Sequence, residues 1–176
     1  MHDQLWKFRL DGRGGGSWTQ EQTPSTQGQR LRSVFRAATV RTPTKFYSLG
    51  GVLWPKDGGE PSISIAGMTV YDMESHSWTN MSSNRATDSG WLVSARGHYS
   101  SMFGEEGVLV FLGGVAPPNQ TFGYLNQTTG MVDMSNITVY DVHSGKWFHQ
   151  KADGDVPLGR QQFCSVDVSS SGSFEM

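Results

Sequence analysis

The side chains that could do chemistry are few and scattered. The chain has five histidines and one cysteine. His98, His143 and His149 fall in or beside short apolar runs, at spacings that pair none of them as metal ligands. A lone Cys164 excludes an internal disulfide and any cysteine-based zinc cluster. It lies in the alternating run Gln162-Phe-Cys-Ser-Val166 and is expected to be buried rather than nucleophilic. Gly12-Arg-Gly-Gly-Gly16 has the composition of a phosphate cradle, but no helical pattern follows to supply an N-terminus, so it reads as a turn. Glu105-Glu106 reads as an exposed turn, not as a paired acid and base. Arg32, Arg96 and Arg160 each lead an apolar run, and their recurrence favours a repeated structural hydrogen bond over a ring of ligand-binding cations. No catalytic residue, metal ligand or cofactor is therefore expected, and no small-molecule ligand.

Charge and composition narrow the class further. The formal net charge is -2, which gives no electrostatic reason to expect nucleic acid. No apolar run approaches the ~18 residues that a membrane span needs, so this segment is expected to make no membrane contact itself. Met1-His2-Asp3-Gln4 has neither the basic nor the apolar region of a signal peptide. Charged residues are 17% while glycine stands at 22 residues, with 6 Trp, 9 Phe and 5 Tyr, a mixture that suits short strands and many turns. Of five asparagines, Asn80, Asn119, Asn126 and Asn136 begin Asn-x-Ser/Thr sequons, an excess that points to a parent protein in the secretory pathway or at the cell surface. A cytoplasmic location is the alternative.

The elements that position these residues repeat. Thr69, Val70, Tyr71, Asp72, Ser75 and Trp78 match Thr138, Val139, Tyr140, Asp141, Ser144 and Trp147, each pair 69 positions apart without a gap. Before each copy an apolar strand ends in paired glycines, Gly50-Gly51 and Gly113-Gly114. Earlier still come Arg32-Ser-Val-Phe and Arg96-Gly-His-Tyr. Each unit reads as four short strands: near Gly97–Phe103, Val108–Leu112, Asn136–Asp141 and Lys146–Gln150 in the second copy. Gly104-Glu-Glu-Gly107 and His143-Ser-Gly-Lys146 supply hairpin turns. Partial copies flank the two full ones, with Phe8 and Trp18 on one side and the run from Arg160 on the other. No 3.6-residue periodicity is sustained over a helix length, so the chain is expected to be all-β.

Paired glycines followed by Tyr and Trp about seven residues apart around a turn resemble the kelch repeat, over nearly the whole chain outside two long inserts. The resemblance implies a partial β-propeller, two complete four-stranded blades flanked by two half-blades. Residues 1–24 would form a half-blade, 32–81 and 96–151 the blades, and 160–176 a truncated half-blade. In that frame Gly50, Gly51, Gly113 and Gly114 permit sharp turns or close approach, while Tyr71, Trp78, Tyr140 and Trp147 fill the wedge between blades. The sequence begins and ends within a repeat. It is expected to be a piece whose exposed strand edges aggregate unless flanking sequence covers them. The related galactose oxidases are copper enzymes, but no tyrosine, histidine and cysteine set of their kind is identifiable here. The resemblance thus implies a non-catalytic module that binds an unidentified protein, within a larger secreted or membrane-anchored parent such as the kelch proteins of fungal cell surfaces. A galactose-oxidase-like metal enzyme and a cytosolic kelch scaffold are the alternatives.

Antiparallel order puts the first and third turns of each unit at one end and the long connections at the other. Those connections run over Val52–Ala66, Val115–Ser135, Gln20–Gln29 and Ser82–Ala95. Long loops on a rigid scaffold usually carry recognition, and Trp54, Arg85, Trp91, Phe122 and Tyr124 are the candidate partner-binding residues. All four sequons fall at the same end, and glycans there would leave the opposite end to bind.

Overall fold

In the computed structural model, residues 5–21, 34–53, 62–82, 86–118, 121–122, 130–170 and 172–176 are described. They are all-β, with antiparallel sheets and no helix among the described residues. β1 (Leu5–Leu10) and β2 (Gly16–Glu21) form a hairpin. Then come β3 (Val34–Phe35), β4 (Ala38–Arg41), β5 (Lys45–Leu49), β6 (Val52–Leu53) and β7 (Ser62–Ser64). β8 (Met68–Asp72) and β9 (Ser77–Met81) complete a first four-stranded sheet in the order β4-β5-β8-β9. β10 (Arg96–Ser100) and β11 (Val108–Leu112) precede the short β12 (Thr121–Phe122). With β13 (Asn136–Asp141) and β14 (Trp147–Lys151) they make a second sheet, ordered β10-β11-β13-β14. A last hairpin pairs β15 (Val168–Ser170) with β16 (Ser173–Glu175).

β11 and β13 have the bounds the sequence suggests, whereas β10 is shorter, ending at Ser100 rather than Phe103. The Asp that ends the third strand of each sheet makes the following turn. Asp72 Oδ1 accepts from Glu74 N (3.0 Å) and Ser75 N (2.8 Å), and Asp141 Oδ1 accepts from Ser144 N (2.7 Å). Asp11 does the same in the β1–β2 hairpin, accepting from Arg13 N and Gly15 N. Local hydrogen bonding of this kind is why Asp suits the position.

The sheets pack through unlike faces. Ala38, Val40, Tyr47, Leu49, Met68 and Val70 of the first sheet bury against Leu109, Phe111 and Tyr140 of the second. Tyr47 and Tyr140 meet across the seam with ring centroids 6.3 Å apart, and Tyr140 Oη donates to Met81 Sδ at 3.7 Å. Burial raises the Tyr47 hydroxyl to about 12, with Tyr140 adding to the shift. Since side chains alternate along a strand, Phe46, Tyr71 and Trp78 lie on the first sheet's other face. That face corresponds to the Leu109, Tyr140 and Trp147 face of the second. The junction between the two four-stranded sheets therefore joins faces that do not correspond.

Paired glycines set the junctions. Gly50, Gly51, Gly113 and Gly114 all have positive φ, from 58° to 93°. A Cβ at Gly50 would collide with the Leu92 carbonyl, and one at Gly114 would lie 2.7 Å from Val93 O. Gly51 N donates to Leu92 O (2.8 Å) and Gly114 N to Arg160 O (2.8 Å).

Those bonds correct the alignment of the arginines. Arg160 occupies the place of Leu92, not that of Arg96. Ala38 stands where Arg96 does, since Ala38 pairs with Leu49 and Arg96 with Leu112, the residues before the paired glycines. Arg32 lies outside the described residues. Connections of unequal length let an arginine match slip by a few positions. Cys164, expected to be buried, is exposed, because only the short terminal segment surrounds it. Residues Leu92, Val93 and Ala95, assigned to a surface connection, are core.

Gly50→Ala combines a left-handed backbone with a carbonyl collision and should cost about 1–3 kcal/mol beyond Gly90→Ala, which meets open space at φ +75°. Denaturant melts of the two variants measure the difference; equal losses would remove close approach as the reason for the glycine. Backbone donation, chiefly from Ser75 and Ser144, holds the carboxyls of Asp72 and Asp141 below 3.8. A depressed folded-state value means the stability is present above about pH 4 and lost as pH falls through the folded value. Asp141→Asn should flatten that acid decline in a series of melting temperatures against pH.

Candidate functional site

The long connections do more than loop. β6 and β7 from the connection Val52–Ala66, β12 from Val115–Ser135 and β3, just before β4, zip into a further antiparallel sheet in the order β12-β7-β6-β3. Val34 pairs with Leu53, Leu53 with Ile63 and Ile63 with Thr121, so these positions share one face. Phe35, Val52 and Ser64 share the other. Val52 and Ser64 are buried, which fixes this side sheet to the body of the protein, while Ile63 and Phe35 remain exposed.

Among the candidate partner-binding residues, Trp54, Arg85 and Tyr124 lie outside the described residues. Phe122 falls in β12 and pairs with Ser62. Trp91 is half-buried and tightly held: its carbonyl accepts from Thr87 Oγ1 (3.1 Å) and Ser89 Oγ (3.4 Å), and it bridges to Ala66. Phe122 and Trp91 thus both belong to the end of the molecule that carries the connections. Composition alone did not reveal Ile63 and Phe35; the sheet that presents them forms only when segments distant in sequence meet. Asn80 and Asn136 are exposed on β9 and β13, bonded to Thr69 Oγ1 (3.0 Å) and Lys151 Nζ (2.8 Å). Asn119 and Asn126 lie outside the described residues.

A second cluster runs along the edges of β4 and β10. Arg36, Ser94 and Gln162 are left-handed, with φ of 58°, 59° and 53°, and each occurs two residues before the position of Ala38, Arg96 or Cys164. Ser94 N donates to Arg36 O at 2.7 Å, and Gln162 N to Ser94 O at 3.3 Å. With its amide oxygen turned toward it, Gln162 accepts from Arg36 Nη2 (2.9 Å) and Nε (3.1 Å). Strained non-glycine backbone recurring three times in one ladder is a built feature.

Beside it, His98 is buried between Asp167 Oδ1, 2.7 Å from Nδ1, and Ser165 Oγ, 2.7 Å from Nε2. With the proton on Nδ1, the ring donates to Asp167 and accepts the Ser165 hydroxyl. This is the order of groups in an acyl-transfer relay. Ser165 and Asp167 stand two apart on an extended segment, so they face the same way and bracket the ring. Arg96 Nε donates to Phe163 O, and its guanidinium lies 5.9 Å from the Phe163 ring centroid. Together these contacts clasp residues 163–167 to β10. A cavity of about 560 Å3 lies against the same sheet, lined by Val110, Val139, Phe148 and Phe174, and by none of the three relay groups.

The other histidines are dispersed. His143 Nε2 lies 3.1 Å from Glu105 and Nδ1 3.5 Å from Glu106, an exposed pairing between two turns, while His149 Nδ1 lies 3.4 Å from Thr138 Oγ1. Among the described residues no three His, Cys, Asp or Glu come together as a metal site.

No family model matches the sequence, and no curated protein does. A solved structure titled "Structure of YjhT" matches with a TM-score of 0.55 at 12% identity, covering 89% of this chain and 47% of that one. The likeness is one of fold, and the chain spans about half that protein's length.

His98→Ala should free residues 163–167 and make them several-fold more sensitive to limited proteolysis, with the two four-stranded sheets intact by far-UV circular dichroism. Unchanged cleavage would show that the clasp does not hold the segment.

Proposed function

We propose that the chain is a kelch-type β-propeller segment, a non-catalytic module that presents its connection-end surface to a protein partner. The observation that carries this reading is the head-to-tail repetition of one packing unit. In it, the cross-strand pairs Tyr71–Trp78 and Tyr140–Trp147 have ring centroids 4.6 Å and 4.9 Å apart. Phe8–Trp18 reproduces the pair at 4.8 Å in the first hairpin. Unlike faces stacked in one direction are what radial repetition of sheets requires. Gly50, Gly51, Gly113 and Gly114 act as close-approach points and the aromatic pairs as wedge filling.

The partner surface is the side sheet, which includes β12 and exposes Ile63, together with the neighbouring Trp91. Its parent is a secreted or membrane-anchored protein, on the strength of the sequons. Exposure of Asn80 and Asn136 is compatible with glycans there. An endoglycosidase mobility shift on the native protein tests the location, and no shift would favour the cytoplasmic scaffold.

Ile63→Asp should weaken capture of the native partner about 10-fold or more, whereas Glu74→Lys, in a turn at the opposite end, should leave it unchanged. Capture measured by biolayer interferometry against the purified partner decides between the ends. Loss with Glu74→Lys and not with Ile63→Asp would move recognition to the short-turn end. Copper-dependent oxidase turnover by the native protein would overturn the non-catalytic reading.

A further inference from the structure

The same junction between repeats is built twice, with different chemistry each time. Val40 pairs with Tyr47 as His98 pairs with Val110, each two residues beyond the matching Ala38 and Arg96. Gly97 and Tyr99 follow the left-handed Ser94 by three and five residues, as Ser165 and Asp167 follow the left-handed Gln162. At the first of these junctions Val40 lies directly over Gly97, so close that a Cβ there would collide with Val40 Cγ2. At the second, in the same place, the His98 ring lies between Ser165 and Asp167. An aliphatic side chain over a glycine is therefore enough to close the contact.

Packing does not account for an imidazole in that position. Burying polar groups costs free energy that their hydrogen bonds only offset, and apolar groups of matching shape serve as well. What the polar set adds is order: a hydroxyl, a base and a carboxylate that orients the base. The ring is 7% exposed, whereas Asp167 is 40% exposed. Ser165 is half-buried and adjoins Val166, which is 76% exposed, so the hydroxyl side of the relay is open to a small reagent. Arg96, two residues before His98 on β10, faces the same way and donates to Phe163 O. Its charge stands beside the relay, where an attacked carbonyl oxygen would turn negative.

We propose that Ser165 is an activated nucleophile that accepts one acyl group from an activated carboxylic ester. The bond from Ser165 Oγ to the acyl carbon forms as the bond from that carbon to the leaving oxygen breaks. His98 Nε2 takes the Oγ proton and hands it to the departing alkoxide, while Asp167 holds the Nδ1 proton and stabilises the imidazolium. Serine and ester become acyl-serine and alcohol, with no further reactant. The step is a single transfer without turnover, so it adds a modification site to the proposed non-catalytic module. It depends neither on the propeller reading nor on a partner.

The native protein should release about one para-nitrophenolate per chain from para-nitrophenyl acetate, with the acetyl group found on Ser165 by peptide mapping. A fluorophosphonate should modify the same residue: the Oγ–P bond forms, fluoride leaves, and the proton passes through His98 to water. His98→Gln should slow both reactions about 100-fold or more, and Asp167→Asn, which favours the wrong tautomer, about 10-fold or more. The paired change His98→Val and Ser165→Gly rebuilds the first junction at the second, and should keep the native melting behaviour while taking no label. A clasp with only a structural role leaves Ser165 inert. Absence of any adduct on Ser165 overturns the proposal, as does an adduct that forms equally fast in His98→Gln. Labelling of the unaltered protein needs no variant, so a variant that fails to fold does not blunt the test.

Discussion

The structure depends on the backbone passing close to itself at two glycine pairs. After β5 and again after β11, two successive left-handed residues turn the chain under a carbonyl of the segment leading toward the next repeat. Gly51 and Gly114 then donate to that segment, at Leu92 and Arg160. No side chain fits between. The contact couples one sheet to the entry of its successor, so sheet spacing is set by backbone and not by the size of any core residue. This explains why Leu92, Val93 and Ala95 are sunk into the core although they belong to a connection.

Given that spacing, the side chains fill what remains. Leu109 and Phe111 of β11 are fully buried between Val40, Leu49 and Tyr140. Removing either side chain leaves a void worth about 2–5 kcal/mol, a large share of a domain's net stability. On the third and fourth strands of each sheet the cross-strand Tyr–Trp pairs supply flat apolar area. The two tyrosines meet neighbours of different kinds. Tyr140 lies against Tyr47 and Met81 of the preceding sheet, while Tyr71 bonds His76 Nδ1 at 3.1 Å within its own turn. The pair is constant; what it touches depends on the sheet stacked against it.

Strands and their order were legible because the signals are local. Alternation, the Asp–turn–Trp motif and the glycine pairs all act within a dozen residues, and β11 and β13 follow them to the residue. Three features were not legible, each for a non-local reason. The side sheet arises from strands of two or three residues in segments far apart in sequence, too short to show any period. The place of Arg160 beside Gly114 is a backbone bond, indifferent to side-chain type, so an arginine match misled. The clasp of His98 by Ser165 and Asp167 spans 67 and 69 positions, and its members carry no mutual spacing signal. Exposure of Cys164 belongs with these: burial does alternate from Gln162 to Val166, but Phe163 and Ser165 are the half-covered residues, beside β10, and Cys164 is on the open side.

On the proposed reading, rigidity and recognition divide along the same line. A backbone-set junction tolerates little change at the glycines, the ladder of Arg36, Ser94 and Gln162, or the aromatic pairs. Connections leave from the ends of strands already fixed by those contacts, so their length can vary without disturbing the stack. Pairing of β3, β6, β7 and β12 then gives the varied segments a frame of their own, with Val52 and Ser64 anchored inward and Ile63 facing out. A surface held this way loses less conformational entropy on binding than free loops of the same length. On the proposed reading, affinity for a partner would then be carried by a few exposed apolar side chains, on a protein whose own stability is decided elsewhere.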